Sequence, residues 1–403
     1  SPPLDVPFTE TFFDGEGRIT RIVRPDAAMH NGTASETRYQ YGPLQRWIYD
    51  GEDNDPLSPH FQTPTRQVVD GLNRVVKTER LLSAGGAPIA TEVVFDSLGH
   101  LHALLDYEGM GPTYNRDLLG RVARLSTPGR GSVTFDYDAM GSVISQTDAR
   151  GIIMRNEYDA LNRTIGTWED GNKAGTFIGR AYDVTDQCGS VECGYAVGKQ
   201  VAASYPLGDG DMGLERFGYN ARGEAVMFGR TLGGKEVVFR SGYDNVGRVK
   251  DVDYGGIESV AYQYDGLSRL TSVPDYVDGV DYTPRGLLGG MHYANGTMSQ
   301  YRYDENMALT GLLSEDRDGE SFQDLHYTRD RVGHVVGVDD RRMANDGPSG
   351  SAHYEHDSLY RLTQADLDPA SNAWRETMTY TYDRTSRLLT KISSLAGSVA
   401  NVG

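Results

Sequence analysis

Short stretches in which every second residue is apolar recur along this chain. The alternation is clearest in 377–382, Thr-Met-Thr-Tyr-Thr-Tyr, and it returns in 133–137, Val-Thr-Phe-Asp-Tyr. Successive side chains of a β-strand point to opposite faces of the sheet, so this period of two predicts strands. One face of each strand would be aromatic, and the other would be polar or β-branched.

Between these stretches a short unit repeats, with the pattern aromatic-Asp-x-x-(Gly, Asn or Ser)-Arg-aliphatic. It reads Tyr-Asp-Asn-Val-Gly-Arg-Val in 243–249 and Tyr-Asp-Gly-Leu-Ser-Arg-Leu in 264–270. Sixteen units cover the chain from end to end, with spacings of 18 to 37 residues and one insertion near 184–215. The Asp position falls at residues 14, 42, 70, 96, 117, 138, 159, 183, 220, 244, 265, 283, 304, 330, 357 and 383, where Gly42, Asn220 and Thr283 are the departures.

Each position of the unit suits a β-hairpin. An Asp at the start of a turn accepts hydrogen bonds from backbone N–H groups two residues on, and Gly or Asn three residues later tolerates positive φ. The following Arg begins the return strand, within reach of the Asp carboxylate or of a neighbouring Tyr ring. The residues predicted to build the repeat are Asp14, Gly17, Arg18, Asp70, Arg74, Asp96, Gly99, Gly120, Arg121, Tyr137, Asp138, Gly141, Tyr158, Asp159, Arg163, Tyr243, Asp244, Gly247, Arg248, Tyr264, Asp265, Arg269, Tyr303, Asp304, Gly333, Arg361, Tyr382, Asp383 and Arg387.

The aromatic residue stands directly before the Asp position or two residues earlier, as Tyr114 and Tyr327 do. Both places lie on the same face of a strand, and fifteen of the sixteen units fill one of them, Val69 being the exception. The aromatic face is therefore expected to be nearly continuous.

Composition narrows the function classes. Gly makes up 49 of 403 residues, which fits a turn-rich repeat, and no apolar run approaches the ~20 residues of a membrane span. The formal net charge of −18 makes nucleic acid an improbable partner, because binding to phosphates rests on clustered Lys and Arg. Arg outnumbers Lys by 33 to 6, which suggests that guanidinium groups pair and stack within the fold.

The sharper motifs carry no cofactor, metal or catalytic site. Cys188 and Cys193 have no flanking His, so a short-loop disulfide or two free thiols is favoured over zinc. The GxGxxG letters of 208–213 follow no βα unit and predict a flexible loop, with a cation site at Asp209 and Asp211 as a weaker alternative. Residues 229–235 have P-loop spacing but lack the Ser or Thr that holds magnesium, and predict a hairpin turn. No nucleophile elbow or HExxH motif is present, and we expect no enzyme.

The phased repeat resembles the YD repeat of the Rhs family, which includes bacterial Rhs toxins, the B and C proteins of Tc toxin complexes, and teneurins. This resemblance implies an all-β fold in which repeated hairpins form a spiral sheet, part of a hollow shell that encloses a toxin polypeptide. Sixteen hairpins give about 32 strands, fewer than a closed shell of this family needs. The cleavage motif and the toxin domain of the family are not recognisable. We therefore expect residues 1–403 to be one YD-repeat region of a longer protein.

Three functions compete at this stage. A shell segment would have the rest of the same chain or a companion shell protein, and the enclosed toxin, as partners. The alternative is a secreted or cell-surface module that binds carbohydrate or protein through its Tyr and Arg residues. A propeller enzyme fits two 21-residue units per blade but not the irregular spacing. A bacterial, secreted or cell-surface protein is expected, and its unpaired strand edges predict self-association of the isolated chain.

Overall fold

The computed structural model describes residues 7–26, 30–183, 194–208, 210–342, 350–369, 375–395 and 399–401. These residues form 34 β-strands and one short helix, so the predicted all-β class is confirmed. Two compact units share the chain: unit 1 contains Ser1–Gly111 and Val280–Gly403, and unit 2 contains Pro112–Gly279. Cys188 and Cys193 lie outside the described residues.

The first segment of unit 1 is an antiparallel meander in which each strand pairs with the next along the chain. Its strands are β1 (Glu10–Phe13), β2 (Ile19–Val23), β3 (Glu36–Gly42), β4 (Gln45–Tyr49), β5 (Thr65–Val69), β6 (Val75–Arg80), β7 (Ile89–Phe95) and β8 (Leu101–Leu105).

Unit 2 continues the same construction. Its strands are β9 (Thr113–Arg116), β10 (Val122–Thr127), β11 (Gly131–Tyr137), β12 (Val143–Thr147), β13 (Ile153–Tyr158), β14 (Thr164–Glu169), β15 (Ile178–Tyr182), β16 (Gln200–Gly208), β17 (Asp211–Tyr219), β18 (Ala225–Leu232), β19 (Lys235–Tyr243), β20 (Val249–Tyr254), β21 (Ser259–Ala261), β22 (Gln263–Tyr264) and β23 (Leu270–Ser272). The helix α1 (Lys173–Thr176) lies between β14 and β15 and was not expected from the sequence.

An eleven-stranded sheet follows, most of which is the second segment of unit 1. Its strands are β24 (Val277–Tyr282), β25 (Leu288–Tyr293), β26 (Met298–Tyr303), β27 (Leu309–Glu315), β28 (Ser321–Arg329), β29 (Val335–Asp340), β30 (Gly350–His356), β31 (Leu362–Pro369), β32 (Glu376–Tyr382), β33 (Leu388–Ser393) and β34 (Val399–Asn401).

Two sequence motifs can be compared with the structure: the 208–213 segment differs from the expectation, and the 229–235 segment agrees with it. A flexible loop was expected at residues 208–213, but Gly208 ends β16 and Asp211 begins β17, and the two strands pair from Ala202 with Arg216 to Gly208 with Asp211, with a register shift between Pro206 and Gly208. Much of the predicted insertion is therefore strand. Residues 229–235 do form a hairpin, with Leu232 opposite Lys235, as predicted.

A meander places alternate turns at opposite ends of its strands. We call the end that carries the repeat turns, such as 70–74, 138–142 and 357–361, the YD rim, and the end that carries the connections between repeat units the return rim. At most YD-rim turns the strand register shifts at the last residue before the Asp, as between Asp136 and Tyr137, so the ladder contains a β-bulge there.

Neither unit is held by a large apolar core. Among the described residues only eight apolar residues are buried: Ile89, Ala103, Ala196, Val201, Ala202, Val260, Val273 and Ala365. Several buried residues are instead polar, and Glu52, Asp53, His60 and Thr63 belong to one connection on the return rim of unit 1. Stability must therefore come largely from half-buried sheet faces, backbone ladders and polar contacts between turns.

Candidate functional site

The repeat turn is closed by its own Asp. In the first turn, Asp14 Oδ1 accepts from the N–H groups of Glu16 and Arg18, both at 2.9 Å, and Oδ2 accepts from Arg18 Nε at 2.7 Å. The same three bonds recur at the Asp–Arg pairs 70/74, 117/121, 159/163, 244/248, 265/269 and 357/361. Asp383 accepts from the Arg387 N–H, and the Arg387 guanidinium lies 3.4 Å away.

The residue before the Arg is left-handed, with φ of 78° at Gly17 and 81° at Gly120. Asn162 and Ser268 adopt φ of 63° at the same place. Gly99, Gly141, Gly247 and Gly333 also have positive φ there. The slot thus accepts residues that tolerate this conformation, as the sequence pattern indicated.

The Arg of one unit also lies over the aromatic ring of the next. Arg18, Arg121 and Arg163 lie over Tyr41, Tyr137 and Tyr182, respectively, and three further pairs repeat the contact. The six centroid distances run from 4.0 to 4.7 Å, the other pairs being Arg74 with Phe95, Arg248 with Tyr264 and Arg361 with Tyr382. Each guanidinium therefore joins its own turn to the neighbouring hairpin.

The tyrosine hydroxyl completes the link by donating to a carbonyl of the preceding unit. Tyr137 donates to the carbonyl of Val122 at 2.7 Å, and Tyr158 donates to that of Val143 at 2.8 Å. Tyr243, Tyr264 and Tyr382 make the same bond to residues 225, 249 and 362. Tyr137, Tyr264 and Tyr382 are therefore occupied in joining hairpins on both the ring and the hydroxyl.

Some predicted repeat residues have different partners. His100 and His334 take the place of the Arg, and their ring nitrogens lie 3.2 and 3.1 Å from Asp96 and Asp330. Asp304, which follows Tyr303, accepts from the N–H of Ala308. The sequence pattern also missed three turns of the same Asp type on the return rim, at Asp106, Asp148 and Asp316, although Gly stands three residues after each of them.

Hydrogen bonding lowers the pKa of the turn carboxyls. The backbone N–H of Arg18, and then its guanidinium, hold the pKa of Asp14 below its ordinary value. At Asp70 the Arg74 guanidinium is the larger cause. A lowered pKa in the folded state stabilises the fold above the ordinary carboxyl pKa and is lost as the pH falls through the folded value.

The second feature is the acidic loop, residues 50–64, which connects β4 to β5. Asp53 organises it: Oδ2 accepts from the N–H of Asp50 at 2.9 Å, and Oδ1 accepts from the N–H and the hydroxyl of Thr63, both at 3.0 Å. The side-chain amide of Asn54 donates to the carbonyls of Glu36, Tyr49 and Asp50. The loop is thus built around buried polar groups with internal partners.

This loop docks on two turns almost 300 residues away, within unit 1. The Arg331 N–H donates to Glu52 at 2.7 Å, and Arg331 Nε donates to Asp55 at 2.7 Å. His60 Nδ1 lies 3.1 Å from the Ser358 hydroxyl. We call 330–334 and 357–361 the docked turns, because both carry side chains that contact the acidic loop.

Tyr360 lies at the centre of this contact. Its hydroxyl donates to Asp50 Oδ2 at 2.5 Å, and its ring stacks on His334 at 4.6 Å and meets His60 edge-on at 5.6 Å. Burial, and then the bond to Asp50, raise the pKa of Tyr360 far above its ordinary value, so the hydroxyl remains a donor. Tyr360 also has φ of 61°, in the slot that Gly or Asn fills elsewhere.

Burial shifts the pKa of two further groups of this cluster, Asp53 and His356. It raises the pKa of Asp53 to about 6, against the hydrogen bonds that lower it. It also lowers the pKa of His356, and the neighbouring His334 acts in the same direction. Among the described residues, no group of three or more His, Cys, Asp or Glu side chains could hold a metal ion. The acidic loop and the docked turns therefore form a joint between two runs of sheet, made of polar and aromatic groups.

No model of a protein family matches the chain. Solved structures do match it: "Crystal Structure of TcdB2-TccC3-Cdc42" and "Crystal Structure of TcdB2-TccC3" each superpose with a TM-score of 0.82 over 98% of this chain, at 18% and 17% identity. The chain has the fold of the matched part of the TcdB2–TccC3 structures. The predicted resemblance to Rhs-type sheets is thereby confirmed for the fold.

Two further likenesses agree with this. The Tc holotoxin pore of Photorhabdus luminescens matches with a TM-score of 0.80 over 98% of this chain at 16% identity. Among curated proteins, the double-stranded DNA deaminase toxin A of Burkholderia cenocepacia (strain H111) is 25% identical over 368 aligned residues, which cover 76% of this chain. The chain spans 22% of the matched structures and 24% of that toxin, less than a quarter of their length. No helix in the described part of the chain is long and apolar enough to cross a membrane.

Proposed function

We propose that this chain is a wall segment of an Rhs-type shell that encloses a toxin polypeptide before delivery. The observation that carries the proposal is the match to the TcdB2–TccC3 fold over 98% of the chain. The YD-repeat region 1–403 would be one stretch of a longer protein, secreted or at the surface of a bacterium. Its partners would be the rest of that protein or a companion shell protein.

The contacts support a structural role for the repeat residues. Each Asp–Arg pair closes one hairpin, and the same Arg and the next Tyr join that hairpin to its neighbour. A wall assembled from such units is held by short-range bonds that recur at every step, so it does not depend on a large apolar core. This is the property that a long sheet enclosing a polypeptide requires.

We propose that the wall segment is not itself catalytic. The deaminase named in the Burkholderia toxin belongs to a protein of which the matched part is 24%. The alternative of a glycan-binding module has less support, because Tyr137, Tyr264 and Tyr382 are covered by Arg and bonded through their hydroxyls. Because their ring faces and hydroxyls are already engaged, these tyrosines are poorly placed to stack on or hydrogen-bond to a sugar.

Protease protection tests the proposal. The coding sequence around residues 1–403 would be extended in both directions, and the longer product purified with any companion chain. We expect a polypeptide outside 1–403 that resists protease until mild denaturant opens the wall. A control with the same polypeptide expressed alone should be digested at once. Equal digestion with and without the wall, or the absence of any protected polypeptide, would contradict the proposed function.

A further inference from the structure

Two of the sixteen repeat turns carry an Arg directly after the Asp, and the other fourteen do not. These residues are Arg331 and Arg384, both on the YD rim of the second segment of unit 1. Closing the turn does not require an Arg at this place, because Asp330 and Asp383 accept from backbone N–H groups two and four residues ahead. The side chain at this position is therefore available for contacts outside its own turn.

Arg331 uses this position to bind the first segment of unit 1. Its Nε donates to Asp55 of the acidic loop, and its Nη1 donates to the Thr33 carbonyl at 3.0 Å. The Arg331 and Asp55 side chains are only 16% and 20% exposed. Their ion pair is therefore less screened by solvent than a pair on the open surface.

Arg384 makes an equivalent contact at a second place in unit 1. Its guanidinium lies over the Tyr107 ring, 4.5 Å from the centroid, and donates to the Tyr107 hydroxyl. Tyr107 belongs to the return-rim turn 106–110, in which Asp106 precedes it and Glu108 follows it. An electron-rich ring between two carboxylates is a favourable partner for a guanidinium.

The two contacts have almost the same sequence separation. The Arg331–Asp55 pair spans 276 residues, and the Arg384–Tyr107 pair spans 277. In the turn between them Ser358 occupies the same position, and its hydroxyl lies 3.1 Å from His60 Nδ1. The residue directly after the Asp thus contacts the return rim of the first segment in three successive repeat turns.

We propose that the residue directly after the Asp is the pairing position of the repeat turn. An Arg at the pairing position binds an acidic or tyrosine-bearing connection on the return rim of another run of sheet, 276 or 277 residues earlier, and so sets the register of the two runs. Arg suits both partners, because its planar guanidinium pairs with a carboxylate or stacks on a ring while it donates. This inference goes beyond the enclosing function and concerns how the wall is joined to itself.

Hydrogen exchange measured on peptides of the whole chain tests the pairing. We expect Arg331→Ala to raise exchange at the amides of 52–63 by about fivefold or more, and to leave 106–110 unchanged. Arg384→Ala should raise exchange at 106–110 and leave 52–63 unchanged. Each Arg would then be shown to hold its own connection.

Arg317→Ala is the matched control. Arg317 also stands directly after the Asp of a turn, Asp316, but this turn lies on the return rim and the side chain is 78% exposed. Its removal should change exchange neither at 52–63 nor at 106–110. The comparison separates pairing from the general effect of deleting an Arg from a turn.

Exchanging the two side chains of a pair tests whether their chemistry specifies the partner. R331D/D55R should recover most of the protection of 52–63 that R331D loses, whereas R331D/Y107R, with the Arg in the other connection, should recover none. Circular dichroism checks that each variant keeps its sheet. If R331D does not fold, the more exposed pair supplies the same test, because R384Y/Y107R should recover the protection of 106–110 that R384Y loses.

Three results would overturn the inference. The first is unchanged exchange at both connections in Arg331→Ala and Arg384→Ala. The second is an equal rise at both connections in either variant, which would mean that the Arg stabilises unit 1 as a whole. The third is a failure of both exchanged pairs to recover protection. None of these results alters the protease protection of an enclosed polypeptide, so a failure of the pairing is distinguishable from a failure of the proposed function.

Discussion

The turns 159–163 and 357–361 have the same Asp and Arg, and the same hydrogen bonds close them. They differ at the residue before the Arg. Asn162 has φ of 63° and follows the exposed Leu161. Tyr360 has φ of 61°, and its ring contacts the rings of both His60 and His334. A bulky residue in the left-handed region costs about 1–3 kcal/mol, so its contacts must offset that cost.

This difference separates two kinds of contact. The regular turn is closed within five residues, and its further bonds, from Arg163 to Asp183 and from Ser142 to Asn162, reach only the neighbouring turns. The docked turn has Tyr360 in a left-handed position that suits Gly or Asn better, and this residue contacts a loop some 300 residues away in the sequence. Ser358 of the same turn also contacts that loop. At Tyr360 the departure from the repeat coincides with the place where one run of sheet is joined to another.

The largest expected difference between the two turns comes from replacing Tyr360 and Asn162, one at a time, by glycine. Tyr360→Gly relieves the backbone strain but removes a packed aromatic ring and the hydroxyl that bonds to Asp50. We expect it to lower the free energy of unfolding of unit 1 by about 3 kcal/mol, measured by urea denaturation. Asn162→Gly, the matched change in the regular turn, removes only the side-chain bond from the Ser142 hydroxyl and should cost about 1 kcal/mol or less. Equal effects would show that the docked turn is stabilised only by its own turn bonds.

The sequence predicts the regular turn well because its interactions are local. Asp159 bonds to groups two and four residues ahead, so the spacing of the repeat specifies both the hairpin and its Arg partner. The two possible partners proposed for Arg163, its Asp and a neighbouring Tyr ring, are both occupied. The alternation of apolar residues likewise predicts the strands, and within each sheet neighbouring strands are mostly consecutive in the chain.

The joint in unit 1 was missed because its partners are distant in sequence. Asp50 and Tyr360 are 310 residues apart, and no local pattern specifies which turn meets which loop. Two signals were nevertheless present. Tyr360 occupies a slot that elsewhere favours Gly, Asn or Ser, and residues 50–64 lengthen one unit with a run of acidic residues. A bulky residue in the left-handed slot is not a sufficient marker of tertiary contact, because Met307 fills the same slot with φ of 65° and is 53% exposed.

A smaller difference in stability is expected between alanine substitutions of two glycines, Gly51 in the acidic loop and Gly71 in a regular turn. A Cβ atom at Gly51 would lie 2.8 Å from the Arg331 carbonyl oxygen, whereas one at Gly71, in a regular turn, would meet nothing within 4 Å. We expect Gly51→Ala to cost about 2 kcal/mol through separation of the loop from the docked turns. Gly71→Ala should be neutral or slightly stabilising. Hydrogen exchange should rise at the amides of 52–63 in the first variant alone, and unchanged exchange there would contradict the close packing.

The smallest expected effect is a difference in how the acidic loop and the regular turns contribute to stability as the pH falls. The folded state raises the pKa of Asp53 to about 6, so it binds a proton that the unfolded chain does not bind between pH 6 and the ordinary carboxyl pKa. The contribution of Asp53 to stability therefore increases as the pH falls from 7 to 5, by about 1 kcal/mol. The turn carboxyls have lowered pKa values, and their contribution decreases only as the pH falls below about 4.

Asp53→Asn tests this carboxyl, because the other ionisable side chains of the joint, Asp50, Glu52, His60 and His356, are common to both proteins. The stability of the unchanged chain relative to this variant should rise on acidification from pH 7 to 5. In Asp70→Asn, the matched change in a regular turn, the same difference should stay flat over that range and shrink only below about pH 4. A flat difference for Asp53→Asn would mean that this carboxyl is hydrated in solution, and that the acidic loop is more open there than in this structure.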